Sequence, residues 1–145
     1  MSTYRVVFGN ASMRVPSDWV DITHDLPEDT PFTLAKPDGV GALQFSVATY
    51  DSGERPSIGA DDLREMLMEF AESEGLPAPA SIEQAGNQVM YCGGDLSDEE
   101  RVAWAWYVTN GVDVLFVTYN AQQQHAAQAA SEVSDAKAIV ASIEV

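Results

Sequence analysis

Positive charge is scarce in this sequence. Two lysines, Lys36 and Lys137, and five arginines stand against 23 carboxylates, a formal net charge of −16 over 145 residues. A field of that sign repels nucleic acid and anionic lipid, and it speeds encounter with a basic protein. Nucleic-acid and membrane binding are therefore set aside; the same composition also suits plain solubility or a salt-rich cytoplasm. Cysteine is nearly absent too. Cys92 alone cannot close an internal disulfide, so a reducing compartment is expected. No apolar run approaches the ~20 residues that a membrane-spanning helix requires. The opening MSTYRVVFGNASMRV has no charged region followed by an apolar stretch. No signal peptide is expected, and the cytoplasm is the expected location.

The motifs that carry chemistry are missing as well. Histidine occurs twice, as His24 in an acidic stretch and His125 at the start of a polar helical one. H-E-x-x-H, C-x-x-C and H-x-E patterns are absent, so no metal is expected. Without G-x-S-x-G there is no nucleophile elbow. Gly39-Val40-Gly41-Ala42 starts like a phosphate loop but lacks the third glycine, and it falls inside a hairpin where no helix start can meet a phosphate. DLSDEE (95–100) lacks the central glycine and the acidic twelfth position of a calcium loop. Cys92 has no neighbouring base and reads as core. The expectation is a protein that is not an enzyme and needs no cofactor.

What the sequence does have is strand pattern, strongest in VAWAWYVTNGVDVLFVTY (102–119). Asn110-Gly111 between two apolar, β-branched and aromatic runs is the signal for a two-residue hairpin turn. Such a turn sets Thr109 opposite Val112, Tyr107 opposite Val114, Trp106 opposite Leu115 and Trp104 opposite Val117. One face then carries Trp104, Trp106, Leu115, Val117 and Tyr119; the other carries Ala103, Ala105, Tyr107, Val114 and Phe116. Both faces are apolar, so both call for cover by helices or by a partner.

The remaining chain supplies that cover. Residues 3–9 and 11–15 alternate as two short strands, and Trp19 after the turn residues Pro16-Ser17-Asp18 reads as a plug on the core. Residues 31–36 and 40–50 form a second hairpin around Pro37-Asp38-Gly39, with 51–57 as a flexible connection. Residues 60–75 read as a helix: Leu63, Met66, Leu67, Phe70 and Ala71 make one stripe, Asp61 and Asp62 suit its first turn, and Gly75 and Pro77 stop it. Strands are expected over 80–84 and 88–92, with Gly93-Gly94 loosening the chain afterwards. Beyond Asn120 the chain turns helical, ending in the stripe Val133, Ala136, Ile139, Val140 and Ile143, as one helix or two. The sum is a single α+β domain over residues 1–145, an antiparallel sheet built from hairpins with two main helices packed on it.

Two features could carry binding. The acidic loops hold Asp21, Asp25, Glu28 and Asp29 in the first and Asp95, Asp98, Glu99 and Glu100 in the second; they read either as a solvated rim or as a patch for a basic protein surface. The aromatic side of the hairpin, Trp104, Trp106 and Tyr119, reads either as core or as an apolar groove for a partner helix.

The order of elements resembles the PsbP/Mog-like α-β-α sandwich. The likeness runs through V-P-S-D-W (15–19), ALQFSVATY (42–50), the amphipathic helix, W-x-W-Y-V-x-N-G-x-x-x-x-F-V-T-Y (104–119) and A-x-x-I-V-x-S-I (136–143). That resemblance implies a non-catalytic adaptor. Two bacterial groups of related architecture give it content: small immunity proteins that neutralise toxins, and the Eag chaperones of type VI secretion, whose opening is similar to Y-R-V-x-x-x-x-A-S-M-R-V-P-S-D-W-V-D (4–21). The first implies a basic toxin or effector domain as partner, met by the acidic loops. The second implies hydrophobic effector helices, held in an open groove. Either a monomer or a homodimer fits.

Overall fold

The computed structural model of the protein describes residues 3–8, 11–48, 60–75, 82–86, 90–110 and 114–144. Nine strands and two α-helices lie among them. Strands β1 (Thr3–Phe8) and β2 (Ala11–Pro16) form a separate antiparallel hairpin. The other seven are β3 (Val20–Asp21), β4 (Phe32–Ala35), β5 (Gly41–Ala48), β6 (Ile82–Gly86), β7 (Met90–Asp95), β8 (Arg101–Thr109) and β9 (Val114–Gln122). They make one antiparallel sheet in the order β3-β4-β5-β9-β8-β7-β6. Helix α1 (Ala60–Ser73) packs on β7 and β8, and α2 (Ala126–Ala141) packs on the opposite face. This is the α+β arrangement expected from the sequence.

The 102–119 hairpin lies at the sheet's centre, with a different register from the expected one. Thr109 pairs with Val114, Trp106 with Val117 and Trp104 with Tyr119, two residues beyond the tight-turn alignment. The connection is thus 110–113, of which 111–113, including Gly111, lie outside the described residues. Side chains alternate with period two along a strand, so a slip of two leaves every face assignment intact. Trp106, Val108, Leu115, Val117 and Tyr119 join Val133, Ala136, Ile139 and Val140 of α2 and Met13 and Val15 of β2 in the larger core. Ala103, Ala105, Tyr107 and Val114 join Leu63, Leu67 and Ala71 of α1, with Cys92 and Leu96, in the smaller one.

Each core follows from side-chain size. Under α1 the sheet offers Ala103 and Ala105, small enough for the helix to lie close. Under α2 it offers Trp106 and Tyr119, both fully buried; burial of side chains that large contributes roughly 1.5–3 kcal/mol each before entropy. Trp19 is also wholly buried, as expected of a plug, and its Nε1 donates to Asp135 Oδ2 of α2 at 3.1 Å. Phe8, Phe32 and Phe45 close the junction between the β1–β2 hairpin and the sheet, with Phe8 and Phe32 stacked at 5.3 Å. At the same turn end of that hairpin, Ser12 and Glu144 exchange backbone hydrogen bonds of 2.8 Å each way.

Four further local expectations change. Gly93-Gly94 continues β7 instead of loosening the chain, because the Trp106 indole lies against Gly93: a Cβ there would sit 2.0 Å from Trp106 Cδ1. Strand β9 runs on to Gln122, and a 3-10 turn (Gln123–His125) leads into α2, which is one continuous helix. The first acidic loop contains the short strand β3 and a 3-10 turn (Thr23–Asp25). Ile82 begins β6 and Met90 begins β7, while 49–57, 76–81 and 87–89 lie outside the described residues.

Candidate functional site

A cleft that could take a ligand lies on the α1 side of the sheet. Helix α1 covers β7 and β8, and the alternate residues of β5 and β9 beside it turn polar. Gln44 pairs with Thr118, Ser46 with Phe116 and Ala42 with Asn120. Gln44, Ser46, Phe116, Thr118 and Asn120 floor a cleft of about 250 Å³, walled by Phe70 of α1 and Glu74 just beyond its end, Leu96 and Arg101 around the second acidic loop, and Pro31 after the first. Phe70 meets Phe116 edge-on at 4.8 Å, and Tyr107 stacks on Phe116 at 4.6 Å, so the helix side of the cleft is aromatic. Gln44 Nε2 reaches Thr33 Oγ1 at 3.4 Å, which leaves its amide oxygen available.

The cleft reaches the second acidic loop at Leu96 and the end of the first at Pro31, with β5 and β9 between β4 and β8; the eight loop carboxylates themselves lie outside its lining. The structure divides these carboxylates into two kinds. Asp98 Oδ1 accepts the backbone N–H groups of Glu100 and Arg101 at 2.9 Å each, and its Oδ2 lies 3.7 Å from Arg101 Nε. Those backbone donors hold the Asp98 carboxyl below its ordinary range. Asp95 Oδ1 accepts the Ser97 N–H, and Asp21 Oδ1 accepts the Thr23 hydroxyl at 2.6 Å and its N–H at 2.9 Å; the hydroxyl contact chiefly lowers the Asp21 titration. These three build turns. The other five, Asp25, Glu28, Asp29, Glu99 and Glu100, are exposed, and among the described residues no hydrogen bond or ion pair uses their carboxylates.

The platform under Glu99 and Glu100 is well staked. Leu96 N–H donates to Ala103 O, Asp98 N–H to Arg101 O, and Gln123 Nε2 reaches the carbonyls of Asp98 and Arg101. Asp29 has φ of 71°, left-handed backbone that Asp tolerates better than most residues.

The aromatic candidates fare differently. Trp106 and Tyr119 are wholly buried under α2, and half-buried Trp104 stacks on Trp106 at 5.8 Å with Lys137 Nζ 4.3 Å above its ring. The groove expected at Trp104, Trp106 and Tyr119 is therefore filled by the chain's own helix; that face is core. Burial, then the Glu132 carboxylate beside it, pushes the Tyr119 phenol up, and burial followed by Glu69 pushes Tyr107 up to about 12. Both shifts are consequences of packing. Among the described residues no group of three or more His, Cys, Asp or Glu side chains is placed to hold a metal, and no helix is long and apolar enough to cross a membrane.

The cleft floor was missed from sequence. Its signal was the polar half of the β5 alternation, Gln44 and Ser46, which acquires meaning only beside Thr118 and Asn120 once the β5–β9 register is known.

This arrangement, a central antiparallel sheet with one helix on each face and an N-terminal hairpin, defines the PsbP-like α+β fold. The cyanobacterial PsbP (CyanoP) of Synechocystis sp. PCC 6803 superposes with a TM-score of 0.61 at 16% identity, over 99% of this chain and 92% of that one. A protein from Bacteroides thetaiotaomicron VPI-5482 gives 0.56 at 16% identity, over 93% of this chain and 44% of its own. LpqN, involved in cell envelope biogenesis of Mycobacterium tuberculosis, gives 0.50 at 16% identity, over 98% and 89%. No protein-family model and no curated protein sequence matches this chain. At such identity the likeness is one of fold.

Proposed function

We propose that this chain is a non-enzymatic protein-binding domain that meets a basic protein through the exposed carboxylates flanking the cleft. The observation that carries this reading is the set of five carboxylates, Asp25, Glu28, Asp29, Glu99 and Glu100, exposed and without partners among the described residues, in a chain of net charge −16. Charges arranged in this way raise association rates with a partner of opposite sign and set its orientation more than they add affinity. The hydrogen-bonded turn beneath Glu99 and Glu100 supports the reading, because contact residues held on a fixed platform lose little entropy on binding.

The finer form of the proposal is an immunity protein acting in the cytoplasm to neutralise a cognate basic toxin or effector domain. Its support is the charge and the related architecture of small bacterial immunity proteins. Affinity purification from native cells tests it, with wild-type protein and a Glu28→Lys, Glu99→Lys, Glu100→Lys variant as baits. The proposal expects a basic protein, toxic when expressed alone and tolerated with the wild type, to be enriched by the wild-type bait only. Equal capture by both baits, or a partner whose toxicity the wild type does not relieve, overturns it.

A further inference from the structure

The cleft between α1 and the 95–101 loop lacks any role in the reading above, and its lining is specific enough to name an occupant. We infer that it receives an arginine side chain of the partner; the inference rests on the basic-partner reading and narrows it. Three observations converge. First, the volume of about 250 Å³ is that of one or two side chains, not of a helix. Second, the floor presents neutral hydrogen-bonding groups: the Gln44 amide oxygen, the Ser46 and Thr118 hydroxyls and the Asn120 amide. Among the described residues the side chains of Ser46, Thr118 and Asn120 make no hydrogen bond. A guanidinium carries five donors in a planar fork, so it can use several acceptors at once, whereas a lysine ammonium is a compact point charge.

Third, the walls suit that group. Phe70 and Phe116 offer aromatic surface on which a guanidinium and its alkyl stem can lie. Glu74 stands at the rim, and Arg101, the only cation lining the cleft among the described residues, is already turned to Asp98 at 3.7 Å. The exposed carboxylates on either side then guide a basic surface toward the opening, and the cleft selects the residue that enters.

The test uses isotope-labelled full-length protein and three capped hexapeptides, alternating alanine with arginine, lysine or citrulline, titrated by NMR. The inference expects the arginine peptide to shift the amides of Gln44, Phe116, Thr118 and Asn120 most. It also expects the citrulline and lysine peptides to bind there about fivefold or more weakly. Thr118→Val and Glu74→Gln, both at the edge of the fold's packing, should each weaken the cleft response while leaving the unfolding midpoint unchanged. Equal binding of the citrulline or lysine peptide overturns the inference. So do shifts confined to residues 25–29 and 99–100, although these would leave the basic-partner reading standing. An arginine peptide that shifts neither region overturns both.

Discussion

Tyr119 Oη donates a 3.0 Å hydrogen bond to Glu132 Oε1, joining the central strand β9 to α2 inside the core. Glu132 is almost fully buried; its Oε1 also accepts the Gly41 N–H (3.1 Å), and its Oε2 accepts the Val40 N–H (2.9 Å). The segment that begins like a phosphate loop, Gly39-Val40-Gly41, thus does present N–H groups to an anion, and the anion is the chain's own. A Cβ on Gly41 would lie 2.4 Å from Tyr119 Oη, which explains glycine there. Glu132→Ala strands three donors, and we expect it to cost about 3 kcal/mol in urea unfolding. Glu132→Gln, which keeps one acceptor, should cost less. An alanine variant as stable as wild type would show that the carboxylate does not hold this joint.

Gly93 and Trp106 form a second forced pair. Because any β-carbon at Gly93 meets the indole at 2.0 Å, Gly93→Ala must displace a fully buried ring or bend β7. Overpacking of this kind costs about 1–3 kcal/mol. Thermal unfolding should show the loss, with a change in tryptophan fluorescence, whereas an unaltered melting curve would mean that β7 does not approach Trp106 in this way.

Tyrosine titration gives a pH signature. Tyr107 is raised to about 12 by burial and then by Glu69, so the fold prefers its neutral form. Above pH ~10 an unfolded tyrosine begins to ionise while the buried one does not. Stability linked to Tyr107 is therefore complete below pH ~10 and lost as pH rises toward 12. At the acid end the sign reverses. Asp98 and Asp21 titrate below their ordinary range, so their contribution is present above that range and lost as pH falls through the depressed values. Tyrosinate absorbance across an alkaline titration, compared with Tyr107→Phe and Tyr119→Phe variants, should show these two phenols ionising above the ordinary tyrosine range, together with loss of structure. Their ionisation near pH ~10 in folded protein would contradict the packing.

The two kinds of carboxylate in the second acidic loop make separable predictions. Glu99→Lys with Glu100→Lys should leave the unfolding midpoint within error of wild type, since neither carboxylate has a partner among the described residues. Asp98→Ala should lower it, because two backbone N–H groups lose their acceptor. Differential scanning calorimetry of the three proteins distinguishes the roles; a stable Asp98 variant would return that residue to the contact surface.

Much of the fold was legible because period-two patterning survives errors of register. The 102–119 faces were assigned correctly with a turn two residues too tight, and both helical stripes, Leu63–Ala71 and Val133–Ile143, pack as their spacing implies. What stayed hidden depends on distant partners. Glu132 looks like a solvated residue of an alanine-rich helix, and only contact with Val40 and Gly41, some ninety positions earlier, makes it core. Gly93-Gly94 looks like a hinge until Trp106 is laid across it. The acidic loops were visible as composition, but the division into turn-building and outward-facing carboxylates needed backbone geometry.

The central claim is that exposed carboxylates beside the cleft carry recognition of a basic protein. Its most direct test is the affinity of the captured partner measured by calorimetry across ionic strength, for wild type and for the Glu28→Lys, Glu99→Lys, Glu100→Lys variant. The account predicts wild-type binding that weakens steeply as salt is raised past the ~8 Å screening length of physiological solutions, and a variant that binds weakly with a shallow salt slope. Affinity that is flat or rises with salt, or a variant as tight as wild type, would contradict it.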